Sequence, residues 1–136
     1  MDWWRTALMT IGIGLTLVAC GGAVASSGKG TADQSGCTVK GASTATPTLT
    51  SAVVPDPNTL GRFVPYNMTV KVGQAIEWNW QDPSVQHSVT SDDGTTFDSC
   101  LQNKGHKFIV TFAKAGSIPY RCTIHPSMVG TITVTK

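Results

Sequence analysis

Seven residues near the carboxyl terminus, Cys122-Thr123-Ile124-His125-Pro126-Ser127-Met128, set a thiol, an imidazole and a thioether at C-x-x-H-x-x-M spacing. One tight loop can turn all three towards a single point. A thiolate with two imidazoles in a plane, and a distant methionine sulfur on the axis, is a coordination set that suits type 1 copper. The loop carries one imidazole, so the second must come from elsewhere. Three histidines exist, and His87, in Gln86-His87-Ser88-Val89, is the candidate. It precedes Cys122 by about 35 residues, so the fold must lay a strand at His87 against the strand that ends at Cys122. Few architectures do that.

The rest of the carboxyl-terminal part has the period-two alternation of strands. Met68-Thr69-Val70-Lys71-Val72 alternates apolar with polar, and Gly73-Gln74 makes a turn. Ala75 to Trp80 follows, with Ile76, Trp78 and Trp80 on one face. Gln86 to Ser91 reads as a short strand containing His87, and Lys107 to Phe112 points Phe108, Val110 and Phe112 inward. Ser117 to Cys122 leads into the ligand loop, and Thr131 to Thr135 closes the chain. Weaker strands are expected at Thr48–Val54 and Arg62–Val64. With 14 Gly, 7 Pro and no helical periodicity, this predicts an all-β antiparallel sandwich. A chain of 136 residues has room for one such domain.

Each ligand candidate has a plainer reading. Cys122 can pair with Cys37 or Cys100, His125 can be an exposed loop histidine, and Met128 can fill the core. Together those readings must produce the spacing by accident, downstream of a strand histidine, which favours the metal. Zinc is the second choice of ion, but methionine serves it poorly and the loop has no carboxylate. An enzymatic centre needs acid–base groups, and Arg121, Thr123, Ile124, Pro126 and Ser127 include no general base. No catalytic residue is expected. His106, in the polar turn Lys104-Gly105-His106-Lys107, reads as a solvated surface residue, and Met68 as core.

The amino terminus reads as an export signal. Ala7 to Ala19 is an apolar run shorter than the roughly 20 residues a membrane helix needs, and it suits a secretory core. Leu17-Val18-Ala19-Cys20, followed by Gly21-Gly22, resembles the bacterial lipobox, in which the cysteine is lipidated. Residues 1–19 are thus expected to be a lipoprotein signal peptide and Cys20 the lipidated residue. A retained short anchor with Trp3 and Trp4 at the interface, or an ordinary signal peptide, are the alternatives. All three place the body outside the cytoplasm, in the periplasm or on another extracytoplasmic face, where disulfides persist. From residue 20 to 46 the chain has few large apolar residues and reads as a flexible stalk, with the domain at 47–136. Cys37 and Cys100 remain once Cys20 and Cys122 have roles, and the pair is expected to bond, with two free thiols as the alternative. The net charge of +2, with scattered cations, argues against a nucleic-acid partner.

At these residues the chain resembles the cupredoxins. The resemblance covers roughly Pro57 to Lys136 and rests on Val70-Lys71-Val72-Gly73 leading to Trp78, on His87-Ser88-Val89-Thr90-Ser91, and on Tyr120-Arg121-Cys122-Thr123-Ile124-His125-Pro126. The loop spacing is that of amicyanin; plastocyanin and pseudoazurin carry two more residues between the histidine and the methionine. The resemblance implies an eight-stranded Greek-key sandwich and one type 1 copper ion near one end, held by His87, Cys122, His125 and Met128. It also implies outer-sphere transfer of single electrons between redox proteins or membrane electron-transfer complexes. Ser88 stands where many members have asparagine, and Cys100 where glycine is common. The expected function is a lipid-anchored, monomeric electron carrier. Competing expectations are a copper-handling lipoprotein that stores or delivers the ion, and a structural Ig-like module without metal.

Overall fold

The computed structural model describes residues 36–136. The expected signal peptide, Cys20 and the first part of the expected stalk lie outside the described residues. Among those described, no helix is long and apolar enough to cross a membrane.

Eight strands form, seven of them close to where the alternation predicts them: β1 Leu49–Val54, β2 Arg62–Val64, β3 Asn67–Lys71, β4 Ala75–Trp80, β5 Thr90–Ser91, β6 Lys107–Thr111, β7 Gly116–Arg121 and β8 Val129–Thr135. They make two four-stranded sheets, β2-β1-β4-β6 and β3-β8-β7-β5. Between β2 and β7 every connection passes from one sheet to the other. Four of the six pairings are antiparallel, while β1 with β4 and β3 with β8 run parallel. Both parallel pairs join strands that are not consecutive in the chain, as a parallel pairing requires a crossover connection instead of a tight turn.

The alternation is realised as burial. Ile76, Trp78 and Trp80 of β4 are 0–1% exposed, and Met68, Val70, Phe108, Val110, Ile132 and Val134 join them between the sheets. Trp78 is the hub, its ring centroid 5.7 Å from Phe97, 6.3 Å from Phe108 and 5.6 Å from Tyr120. Phe63 of β2 lies 4.8 Å from Tyr120. Aromatic side chains bury about 150–250 Å² each and pack at these offsets, so this cluster sets the separation of the sheets.

Two expectations are corrected. Residues 37–46 are not stalk: Lys40 and Asp98 exchange backbone bonds of 2.8 and 3.1 Å, and Ser43 N–H reaches the Ile109 carbonyl at 2.8 Å. Cys37 is bonded to Cys100 with the Cα atoms 6.0 Å apart. The body therefore begins at Cys37 rather than Pro47. This segment contributes backbone hydrogen bonds instead of apolar side chains, which composition does not report. The expected strand over Gln86–Ser91 is also shorter, since only Thr90–Ser91 pairs as β5 and His87 sits in an isolated bridge with Gln102. Side chains interrupt the ladder there: Ser88 N–H points at Cys122 Sγ at 3.4 Å and Val89 N–H at Ser99 Oγ at 2.8 Å.

The disulfide closes a loop of sequence separation 63, worth up to about 4 kcal/mol in the chain-entropy account. Cys37→Ala with Cys100→Ala is expected to lower the unfolding free energy of the folded domain by a large part of that amount, and the denaturant midpoint with it. Chemical unfolding of the double variant at neutral pH measures it, and an unchanged midpoint would mean the bond contributes nothing.

Candidate metal centre

Strand register assembles the centre. In the β5–β7 pair Thr90 lies opposite Arg121, so the residues before Thr90 run alongside those after Arg121. That puts Ser88 next to Thr123, and the Ser88 hydroxyl accepts the Thr123 N–H at 2.9 Å. In the β7–β8 hairpin Arg121 lies opposite Val129, leaving residues 122–128 as its connection. The Cys122 N–H donates to the Met128 carbonyl at 2.9 Å, and the Met128 N–H to the His125 carbonyl at 2.9 Å. Cys122 and Met128 thus face each other across the neck of the loop, each 1% exposed, and His125 sits in its middle at 7%.

His87 is fully buried and held from several sides. Its carbonyl accepts from Trp80 Nε1 at 2.8 Å and from the Gln102 N–H at 2.8 Å. Its ring lies against Gly61, where an added Cβ would overlap Cε1. Its Nε2 is 2.8 Å from Asp82 Oδ2. The other ring nitrogen, Nδ1, is 3.0 Å from Nδ1 of His125, which is itself 3.5 Å from Cys122 Sγ. The donor atoms of His87, Cys122 and His125 all lie within 4.8 Å of one another.

Electrostatics ease ionisation of the Cys122 thiol. Burial pushes the Cys122 thiol up, but the hydrogen bond with His87 and the Ser88 and Ile124 backbone N–H groups outweigh it, and the net shift is downward. Burial opposes the charge of His87, yet Cys122 and Asp82 together raise its basicity. Asp82, although desolvated, lies below the usual carboxylate range because His87 and the Ser84 and Val85 backbones stabilise its charge. His125 is lowered, first by burial and then by the neighbouring His87.

One soft sulfur and two imidazole nitrogens converge in a buried space. No carboxylate is among the converging groups, because Asp82 faces the far nitrogen of His87. This donor chemistry fits copper and suits neither magnesium nor calcium. Met128 sits in the same loop, its side chain buried. Cys37 and Cys100 lie near Asp98, but their sulfurs are used in the disulfide. His106 is half buried, edge-on to Trp80 at 5.2 Å, instead of solvated.

Two residues around the centre, Asp82 and Gly61, escape a motif search, and the bonds of a third, Ser88, were not legible from its place beside His87. Asp82 opens a turn, Asp82-Pro83-Ser84, in which its Oδ1 accepts the Ser84 N–H at 2.7 Å; its place shortly before His87 was the available signal. Ser88 bridges the two ligand segments, with Thr90 Oγ1 at 3.0 Å and Thr123 Oγ1 at 3.1 Å. Gly61 gave no sequence signal at all.

A sequence model of copper-binding proteins of the plastocyanin/azurin family matches residues 51–135. Among solved structures the chain is similar to a purple cupredoxin from Nitrosopumilus maritimus, at 29% identity and a TM-score of 0.53, covering 62% of this chain and 99% of that one. It shares its fold with a reduced proline-to-phenylalanine variant of amicyanin (24% identity, TM-score 0.50, 61% of this chain and 79% of that one). The same holds for a reduced copper(I) form of a proline-to-glycine variant of amicyanin at pH 4 (22% identity, TM-score 0.51, 71% and 91%). Comparison with curated protein sequences gave no match.

Gly61→Ala tests the packing behind His87. The methyl group must displace the imidazole or its own backbone, so metal affinity is expected to fall roughly ten- to a hundredfold, the usual cost of disturbing a ligand's support. Competition against a chromogenic chelator measures it, and unaltered affinity would show that the ring has room to move.

Proposed function

The chain belongs to the plastocyanin/azurin family of copper-binding proteins, and on that premise we propose that it is an exported one-electron carrier anchored at a membrane surface. The observation that carries the reading is the convergence of His87, Cys122 and His125, with donor contacts of 3.0 and 3.5 Å at burial of 93% or more. His87, Cys122 and His125 would hold copper, with the Met128 thioether as a further donor from the same loop. When bound, copper supplies one-electron chemistry between its two common oxidation states.

The chain's own residues do the rest. The Ser88 N–H steadies the Cys122 sulfur, and the hairpin neck fixes Cys122 and Met128 at the two ends of one loop. Backbone and side-chain bonds hold His87 in place. A centre held in one shape by its surroundings changes little on oxidation or reduction, which favours fast exchange. No catalytic residue is assigned.

Electrons would pass at His125. It is the more exposed imidazole, and Ile124, Val129 and Val85 beside the ligand segments are 49%, 53% and 40% exposed. Such an apolar rim suits brief contacts with redox proteins or membrane electron-transfer complexes. Residues 47–136 carry seven Lys and Arg against six Asp and Glu, so steering by charge is weak and rates depend little on salt. Lipidation at Cys20 would tether a monomeric body on the extracytoplasmic side, with residues 20–36 as the link to Cys37.

The visible spectrum of the oxidised, copper-loaded protein tests the reading. An intense thiolate-to-copper band is expected, lost in Cys122→Ser and kept in Met128→Gln. In the latter a harder oxygen donor replaces the thioether and favours copper(II), so the reduction potential is expected to fall. A colourless wild-type protein, or a Met128→Gln potential that does not fall, contradicts the assignment. A carrier also keeps its copper against a mild chelator through repeated redox cycles, whereas a storage or delivery protein surrenders it.

The portal has its own test. Pro126→Glu places a charge beside His125 and is expected to slow electron self-exchange at least tenfold, by adding repulsion and desolvation to a close contact, while leaving the visible band in place. Equal exchange rates would put the portal elsewhere on the surface.

A further inference from the structure

Asp82 is a carboxylate with almost no access to water, 2% exposed. Its backbone N–H donates to the Val53 carbonyl of β1 at 3.2 Å, next to Gln81, whose N–H reaches the same oxygen at 2.8 Å. Its Oδ1 is used by the Ser84 N–H at 2.7 Å. Its Oδ2 is left to His87 Nε2 at 2.8 Å, and His87 is its partner among the ion pairs of the described residues. A buried carboxylate that lacks its hydrogen bonds is costly. This one therefore requires a proton on Nε2 of His87, because an ionised carboxylate only accepts.

An imidazole with its proton fixed on Nε2 presents its lone pair on Nδ1. Nδ1 is the atom that faces the centre, 3.0 Å from Nδ1 of His125. Carboxylate, ring and donor set thus lie in one line of contact. His125 has no acidic partner of this kind among the ion pairs of the described residues.

We propose that Asp82 is the positioning residue of the centre: it fixes the tautomer and direction of His87, and its buried negative charge favours the oxidised state and so sets the reduction potential low. The inference rests on the copper reading above. With Cys122 as thiolate, copper(II) gives the centre one net positive charge and copper(I) none. Loss of one electron therefore adds an attraction to Asp82 that the reduced form lacks. In a water-poor interior such an attraction is screened far less than at the surface. A side chain that only filled space would fix neither the proton nor the potential.

Asp82→Asn keeps the size and one acceptor and removes the charge. The full-length, copper-loaded variant is expected to keep the thiolate-to-copper band, since no donor atom changes. At a fixed ambient potential its ratio of oxidised to reduced copper should drop at least tenfold, an upward shift of about 59 mV or more for one electron. The metal-free chain gives an independent readout by ¹⁵N–¹H spectroscopy of the imidazoles. The His87 Nε2–H should exchange slowly in the wild type and much faster in Asp82→Ala. A potential for Asp82→Asn equal to that of the wild type overturns the proposal, as does an Nε2–H equally protected without the carboxylate. Should the alanine variant fail to fold, the isosteric asparagine variant decides through the potential. A wild-type protein with no charge-transfer band would instead defeat the copper reading, and the metal-free exchange experiment would still decide whether Asp82 orients His87.

Discussion

The contact on which the rest depends is Trp78 against Tyr120, edge to face at 5.6 Å across the sandwich. Trp78 belongs to β4 and Tyr120 to β7, one from each sheet. Two residues beyond Tyr120 the chain reaches Cys122, and a few beyond Trp78 it reaches Asp82 and the turn that delivers His87. The aromatic pair therefore fixes how far apart the two ligand-bearing segments start. A shift there of a few tenths of an ångström would be passed to the donors, because close-packed interiors transmit strain instead of absorbing it. Phe63 and Phe97 pack on the same tyrosine, and the Tyr120 hydroxyl donates to the Tyr66 carbonyl at 2.9 Å. The ring has little freedom to tilt. Gly130 completes the fit, since a Cβ there would overlap both the Tyr66 carbonyl and the Tyr120 ring.

Given that frame, the chemistry of the centre is a matter of which groups face inward without water. Three titratable side chains, Asp82, His87 and Cys122, are 2% exposed or less. Each alone would be driven to its neutral form by desolvation. Together they offset part of that penalty, with the imidazole lying between the carboxylate and the sulfur. The same arrangement explains why the donor set is selective. A buried thiolate beside two imidazoles is matched by a soft or borderline cation, and the one nearby carboxylate is already committed to the far side of His87.

Much of this was legible in the sequence, and the parts that were share a cause. The C-x-x-H-x-x-M loop and the period-two strands are local patterns, so Cys122, His125, Met128, Trp78 and Phe108 could be placed from neighbours in the chain. His87 could be named because few histidines compete for the role. What was hidden depends on contacts between distant segments. Residues 37–46 look like a linker because they carry few apolar side chains, yet their backbone bonds Asp98 and Ile109. The parallel pairings join strands that are distant in the chain, β1 with β4 and β3 with β8, which alternation does not encode. Asp82 looks like a turn residue, which it also is. Gly61 matters only because the His87 ring lies over it, and His106 seemed solvated only because Trp80 was not known to lie beside it.

The two imidazoles are held by different means, and the difference gives the centre a direction. His87 is bound by the sandwich: Trp80, Gln102, Gly61 and Asp82 come from separate segments, and moving its ring would disturb all of them. His125 is bound by one hairpin loop, whose closure rests on the Cys122–Met128 and Met128–His125 backbone bonds. Order is therefore greatest on the inner side and least on the side nearest solvent. Rigidity costs conformational entropy, and here it is concentrated where a ligand must keep its geometry. The looser histidine is the one bordered by exposed Ile124 and Val129. Exposed side chains border the outer histidine, while the distance from Cys122 to His87 is under the control of the core.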